Sequence, residues 1–132
     1  MMGWTMSSES EVLAVSTTVH GADRAVLVVS GELDAESAAV LRHQLAALVL
    51  QGRRHLVLDL ALVPFMDSSG LNSVLRARSE TLRHGGQLLL ASPSATVRRL
   101  LDLTGISLTN PLYETPELAL DALPVAAAHS SG

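Results

Sequence analysis

Hydrophobic and polar positions alternate between two periods along this chain, and the changes of period mark its elements. From Glu11 to Val19 apolar and β-branched residues are frequent, as in a half-buried strand. His20-Gly21-Ala22-Asp23 reads as a turn, and Ala25 to Val29 is an unbroken apolar run. The pair predicts a hairpin whose first strand lies at a sheet edge. The period then lengthens. Ala38, Leu41, Leu45 and Leu48 recur at helical spacing after Asp34, whose carboxylate suits a helix cap, and Gln51-Gly52 closes the helix. His55 to Leu60 is apolar enough to be buried on both sides of a sheet.

Ala61 to Asp67 connects that strand to a second helix, which carries Leu71, Val74, Leu75 and Leu82 on one face and ends at His84-Gly85-Gly86. Gln87 to Ala91 forms the next buried strand. Ser92-Pro93 predicts a third helix with Ser92 as cap and Pro93 at its first position; Val97, Leu100 and Leu101 are its apolar side and Gly105 its end. Ile106 to Thr109 reads as a short strand. Thr115-Pro116 repeats the cap-then-proline start for a last helix running to about Leu123. The polar stretch 1–10 and the small-residue tail 124–132 lack any period and are expected to be flexible, leaving a single domain over 11–123. Strands alternating with helices imply right-handed crossovers. The expected fold is therefore α/β: a mostly parallel sheet of four to five strands, an antiparallel edge hairpin and about four helices.

Composition narrows the function. The chain has 132 residues, 48% hydrophobic but only 2% aromatic, so the core is aliphatic and a base-stacking surface is not available. The net charge is -4, and the nine basic residues, all arginine, are scattered along an acidic chain, which disfavours direct nucleic-acid binding. With no cysteine, disulfides and thiol catalysis are excluded. The five histidines show no ligand spacing, so neither a metal nor any other cofactor is expected. No signal peptide or spanning segment is visible, so the expectation is a cytoplasmic protein that does not engage a membrane. The edge strand offers a pairing surface, but a monomer is expected.

In α/β sheets function gathers where loops leave the carboxyl ends of parallel strands. Met66-Asp67-Ser68-Ser69-Gly70-Leu71 is such a loop entering a helix. Either serine suits the cap position, Ser69 better than Ser68, and Gly70 permits close approach of another backbone. A hydrolase elbow, Gly-x-Ser-x-Gly, is absent, since Met66 and Asp67 stand two positions before the two serines.

Gly31-Glu32-Leu33-Asp34 before the first helix and Asp67-Ser68-Ser69-Gly70-Leu71 before the second resemble the STAS domain family, and within it the bacterial anti-sigma factor antagonists. Pro93-Ser94, Arg98-Arg99-Leu100-Leu101, Leu103-Thr104-Gly105 and Tyr113-Glu114 match as well. That resemblance implies a regulatory binding module without catalysis. Its partners are expected to be an anti-sigma factor serine kinase of the histidine-kinase-like ATPase fold and a PP2C-type phosphatase. It implies phosphorylation at Ser68, with Asp67, Ser69, Gly70, Leu71 and Asp34 as the supporting motif. Asn72-Ser73 follows the motif where the family often has glycine or a small apolar residue. Glu32, Asn72, Ser73 and Arg76 are candidate partner-binding positions; a plain solvated face fits the three helical ones equally. A different role for the same fold is an accessory subunit of an ABC-type transporter, which needs no phosphorylatable serine.

Overall fold

The computed structural model describes residues 13–124. Five strands lie in spatial order β1-β2-β3-β4-β5: β1 (Ala14–His20), β2 (Arg24–Ser30), β3 (His55–Leu62), β4 (Gln87–Ala91) and β5 (Leu112–Tyr113). Five helices connect or follow them: α1 (Ala38–Leu50), α2 (Ser68–Arg83), α3 (Ala95–Leu103), α4 (Ile106–Thr109) and α5 (Pro116–Ala122). β1 pairs antiparallel with β2 around the Gly21 turn, and every other neighbouring pair is parallel. The expected mostly parallel sheet with an antiparallel edge pair is the observed one. Glu11, the start predicted for β1, lies outside the described residues, as do stretch 1–10 and residues 125–132 of the tail.

Alternation along the central strands sends side chains to two cores. Leu27, Val29, Leu56, Leu58, Leu60, Leu88 and Leu90 meet α1, α2 and α3 through Leu41, Leu45, Leu71, Val74, Val97 and Leu101. On the opposite face Val26, Val57 and Ala91 meet Ala119 and Leu123 at α5. β3 is thus buried on both sides, as its continuous apolar run implies.

Four local expectations are corrected. Ile106–Thr109 is a helical turn, because Gly105 at φ +78 reverses the chain and Asn110 N bonds back to Ile106 O at 2.9 Å. The strand comes later, at Leu112–Tyr113, where the backbone reaches β4. The cap of α3 is Ser94, accepting from Val97 N at 3.4 Å; Ser92, at φ +54, follows β4 and donates its amide to Tyr113 O at 2.8 Å. Thr81, not Leu82, takes the buried place on α2, and Leu82 is exposed. β3 extends through Leu62, so Ala61 and Leu62 belong to the strand and not to the connection.

Candidate functional site

The loops that leave β2, β3 and β4 meet at one end of the sheet. The β2–α1 loop holds Gly-Glu-Leu-Asp and the β3–α2 loop holds Asp-Ser-Ser-Gly, and the two are tied backbone to backbone. Leu33 N donates to Phe65 O at 3.0 Å, Asp67 N to Leu33 O at 3.3 Å, and Gly31 N to Leu62 O at 3.1 Å. Leu33 and Met66 form an isolated parallel bridge, with both side chains buried. The β4–α3 loop joins in through Ser94, whose hydroxyl donates to Val63 O at 2.8 Å. Two motifs 34 residues apart in sequence (Leu33 and Asp67) therefore form one rigid platform.

Asp67 is the N-cap of α2. Its backbone is extended and its Oδ1 accepts from Gly70 N at 2.8 Å, while its carbonyl accepts from Leu71 N at 2.9 Å. This corrects the assignment of the cap to Ser69: both serines are already helical and exposed, at the first two positions of α2. The aspartate wins because its carboxylate spans to the third amide of the helix, the geometry a cap requires. Ser68 thus projects from a helix start whose position is set by its neighbours. Replacing Asp67 by Ala should cost about 1 kcal/mol of stability in urea denaturation. Asp67→Asn keeps an acceptor oxygen and should stay near wild type.

Gly70 explains why glycine occupies the third residue of a helix, where it is otherwise unfavourable. A Cβ there would lie 2.7 Å from the Leu33 carbonyl carbon and closer still to its oxygen. The close approach anticipated for Gly70 is made by the chain's own β2–α1 loop. Leu71, the next residue, is buried in the main core and anchors the helix start from beneath.

Asp34 does not cap α1 directly, as α1 begins at Ala38 after a turn. It closes that turn instead: Oδ1 accepts from Ser37 N at 2.9 Å and from Ser37 Oγ at 3.0 Å, and its carbonyl takes Ala38 N at 2.9 Å. Those bonds from the Ser37 amide and hydroxyl hold the Asp34 carboxyl below the usual aspartate range. A folded value below the unfolded one contributes stability that is complete above about pH 4 and is lost as pH falls through the lowered value. Any urea-midpoint difference between wild type and Asp34→Asn should accordingly be present at pH 7 and shrink below about pH 4.

Among the proposed docking positions, Glu32, Asn72 and Arg76 are exposed. Ser73 is half-buried and accepts from Arg42 Nη1 at 3.4 Å. Asn72, Ser73 and Arg76 run down α2 from Ser68; Glu32 lies on the adjoining loop. Ser37 carries no signal in the sequence and Ser94 enters only through the Pro93-Ser94 match, yet their side chains knit these loops. Ser94 stood two places beyond the serine chosen as cap, and its bond to Val63 O has no local sequence signal. No group of three or more potential metal ligands occurs among the described residues. No helix among them is long and apolar enough to cross a membrane.

The STAS domain model matches residues 14–119. An anti-sigma F factor antagonist of Paenibacillus polymyxa is 35% identical over 105 residues, covering 77% of this chain and 90% of that protein. The crystal structure of an anti-sigma factor antagonist from Mycobacterium paratuberculosis superposes with a TM-score of 0.74 at 30% identity, over 86% of this chain and 95% of that one. The antagonist SpoIIAA in its unphosphorylated form gives 0.69 at 27% identity, over 82% and 94%. The phosphorylated form of SpoIIAA, a Bacillus cell fate determinant, gives 0.64 at 26% identity, over 82% and 97%. With the family model spanning nearly all of the described fold and antagonists matched over most of their length, the chain belongs to the STAS domain family and, within it, to the anti-sigma factor antagonists.

Proposed function

We propose that the unphosphorylated chain docks an anti-sigma factor that is itself a serine kinase of the histidine-kinase-like ATPase fold, and thereby frees a sigma factor. The kinase phosphorylates Ser68, the modified chain lets go, and a PP2C-type phosphatase resets it. The family is regulatory and non-catalytic, so the chain acts by occupancy of its partner.

The observation that carries this reading is the setting of Ser68. It is exposed at the first position of α2, behind the Asp67 cap, on a platform fixed by Leu33 and Gly70. A kinase needs a hydroxyl it can reach in a defined position, and a positioned acceptor reduces the entropy lost at transfer. The helix start also tolerates the product, because its dipole favours an anion by about 0.3–1 kcal/mol. Modification therefore alters the docking surface without requiring the domain to unfold. That the phosphorylated form of SpoIIAA still superposes on this fold, with a TM-score of 0.64, supports a modification that leaves the domain folded.

The test is intact-mass measurement after incubation with ATP and the anti-sigma factor kinases of its own host. One added phosphate on wild type and on Ser69→Ala, and none on Ser68→Ala, is expected. A phosphate retained by Ser68→Ala would move the switch to another residue.

A further inference from the structure

The flank of α1 that faces α2 is less covered than a core helix should be. Arg42, Leu45, Ala46, Val49 and Leu50 form one wall of a groove of about 700 Å³, and Arg76, Ala77, Glu80, Thr81 and His84 form the other. The two walls differ in character. On the α1 side everything except Arg42 is apolar, and Leu50 is 86% exposed. The α2 side is polar apart from Ala77. Ala46, Val49 and Leu50 leave an apolar strip beside solvent above the buried Leu45, and such a strip is a common mark of a binding surface.

Charge says what chemistry would fill it. Glu80 pairs with Arg83 at 2.8 Å on the exposed helix surface, so the two together add no net charge beside the groove. Arg42 and Arg76 have no ion-pair partner among the described residues. A chain of net charge -4 thus presents two guanidinium groups without a carboxylate partner over an apolar wall, Arg42 holding only the Ser73 hydroxyl. The complementary occupant is an amphipathic segment with apolar residues on one side and carboxylates on the other.

Position says which partner brings it. α2 is 16 residues long, about 24 Å, and Arg76 lies about 12 Å down the axis from Ser68. An ordinary protein interface covers about 800 Å² on each partner, a patch roughly 30 Å across. Such a footprint centred on Ser68 reaches Arg76 at the near end of the groove, with Asn72 and Ser73 between them; Glu80 and His84 lie about 18 and 24 Å down the axis, so a segment of the kinase extending from that footprint along α2 would fill the rest.

We propose that the α1–α2 groove is a second docking site for the kinase, filled by an acidic amphipathic segment lying outside the kinase's catalytic cleft. The inference rests on the kinase reading given above. It separates binding from chemistry: the groove supplies affinity and Ser68 supplies the switch. Groove changes should therefore raise KM for Ser68 phosphorylation and leave kcat in place.

The experiment compares wild type, Leu50→Ser and the double variant Arg42→Gln/Arg76→Gln, using the kinase that phosphorylates Ser68. All the altered side chains are exposed, so thermal melts should match wild type. Each variant should bind at least tenfold more weakly and show a correspondingly higher KM, with kcat within twofold and the phosphate still on Ser68. The arginine variant should also lose most of the salt dependence of binding. Unchanged affinity and KM in both variants, with wild type phosphorylated normally, would overturn the groove alone. Absence of both phosphate and binding in wild type would instead overturn the kinase reading, and the groove's role with it.

Discussion

Gly70→Ala should be among the most damaging single-methyl changes in this chain, lowering stability by about 2–4 kcal/mol and the melting temperature by about 10 °C. In an ordinary helix the same change stabilises by about 1 kcal/mol, so helix propensity alone predicts the opposite sign. The difference is the Leu33 carbonyl, whose carbon would stand 2.7 Å from the new Cβ. Neither side yields easily. The Leu33 side chain is fully buried, and its backbone bonds both Phe65 O and Asp67 N. Moving α2 outward would break the bridge between the two motifs and pull Ser68 off its platform.

Two controls separate this clash from glycine loss in general. Gly86→Ala meets the Arg54 backbone as closely, but beyond the far end of α2. It should destabilise the fold comparably while leaving Ser68 phosphorylation intact at temperatures where the variant is folded. Gly52→Ala meets nothing within 4 Å and pays only for its φ of +91, about 1 kcal/mol. Urea denaturation of the three variants, with phosphorylation kinetics at 15 °C, checks both the size and the location of the effect. A Gly70→Ala protein as stable as wild type would contradict the tight contact between the loops.

Phosphorylation of Ser68 should lower kinase affinity at least about 100-fold with little change in the melt. The phosphate adds about -1.5 to -2 charges at neutral pH. Within the free protein this charge sits at an exposed helix start, where the dipole favours it, although Asp67 next to it opposes part of that gain. In the complex the same group must shed water, and without a cationic partner this costs several kcal/mol. Since about 1.4 kcal/mol is tenfold, a penalty of about 3 kcal/mol already gives two orders of magnitude. Titration calorimetry with the two forms measures the ratio, and scanning calorimetry confirms that the fold survives. Equal affinities would show that Ser68 lies outside the interface.

Much of this molecule was legible from its periodicity. The buried runs at Ala25 to Val29, His55 to Leu60 and Gln87 to Ala91 are strands because they pack on both faces, and that burial is written in unbroken apolar sequence. The misread places are those decided by contacts distant in sequence or by a choice between adjacent caps. Ile106–Thr109 has a β-branched start, yet Gly105 turns it into a helix before the chain reaches β4. Ser92, Ser94, Asp67 and Ser69 are all competent caps, and only the loop geometry selects Ser94 and Asp67. At the site, the Asp-Ser-Ser-Gly motif stood out as a helix entry, but its rigidity did not. That comes from Leu33, which the sequence marks only as one position of Gly31-Glu32-Leu33-Asp34. The α1–α2 groove is hidden for a related reason: the periodicity of α1 marks only its buried stripe, and its exposed apolar residues matter only beside α2.

The most direct measurement is release of the sigma factor from its complex with the kinase, followed by size-exclusion chromatography after adding this protein. Unphosphorylated protein and Ser68→Ala should both displace the sigma factor, with the kinase eluting in complex with the added chain. Protein phosphorylated on Ser68 should leave the kinase–sigma complex intact at the same concentration. A sigma factor that stays bound whatever form is added, or is released equally by both, would contradict the phosphate-controlled antagonist account.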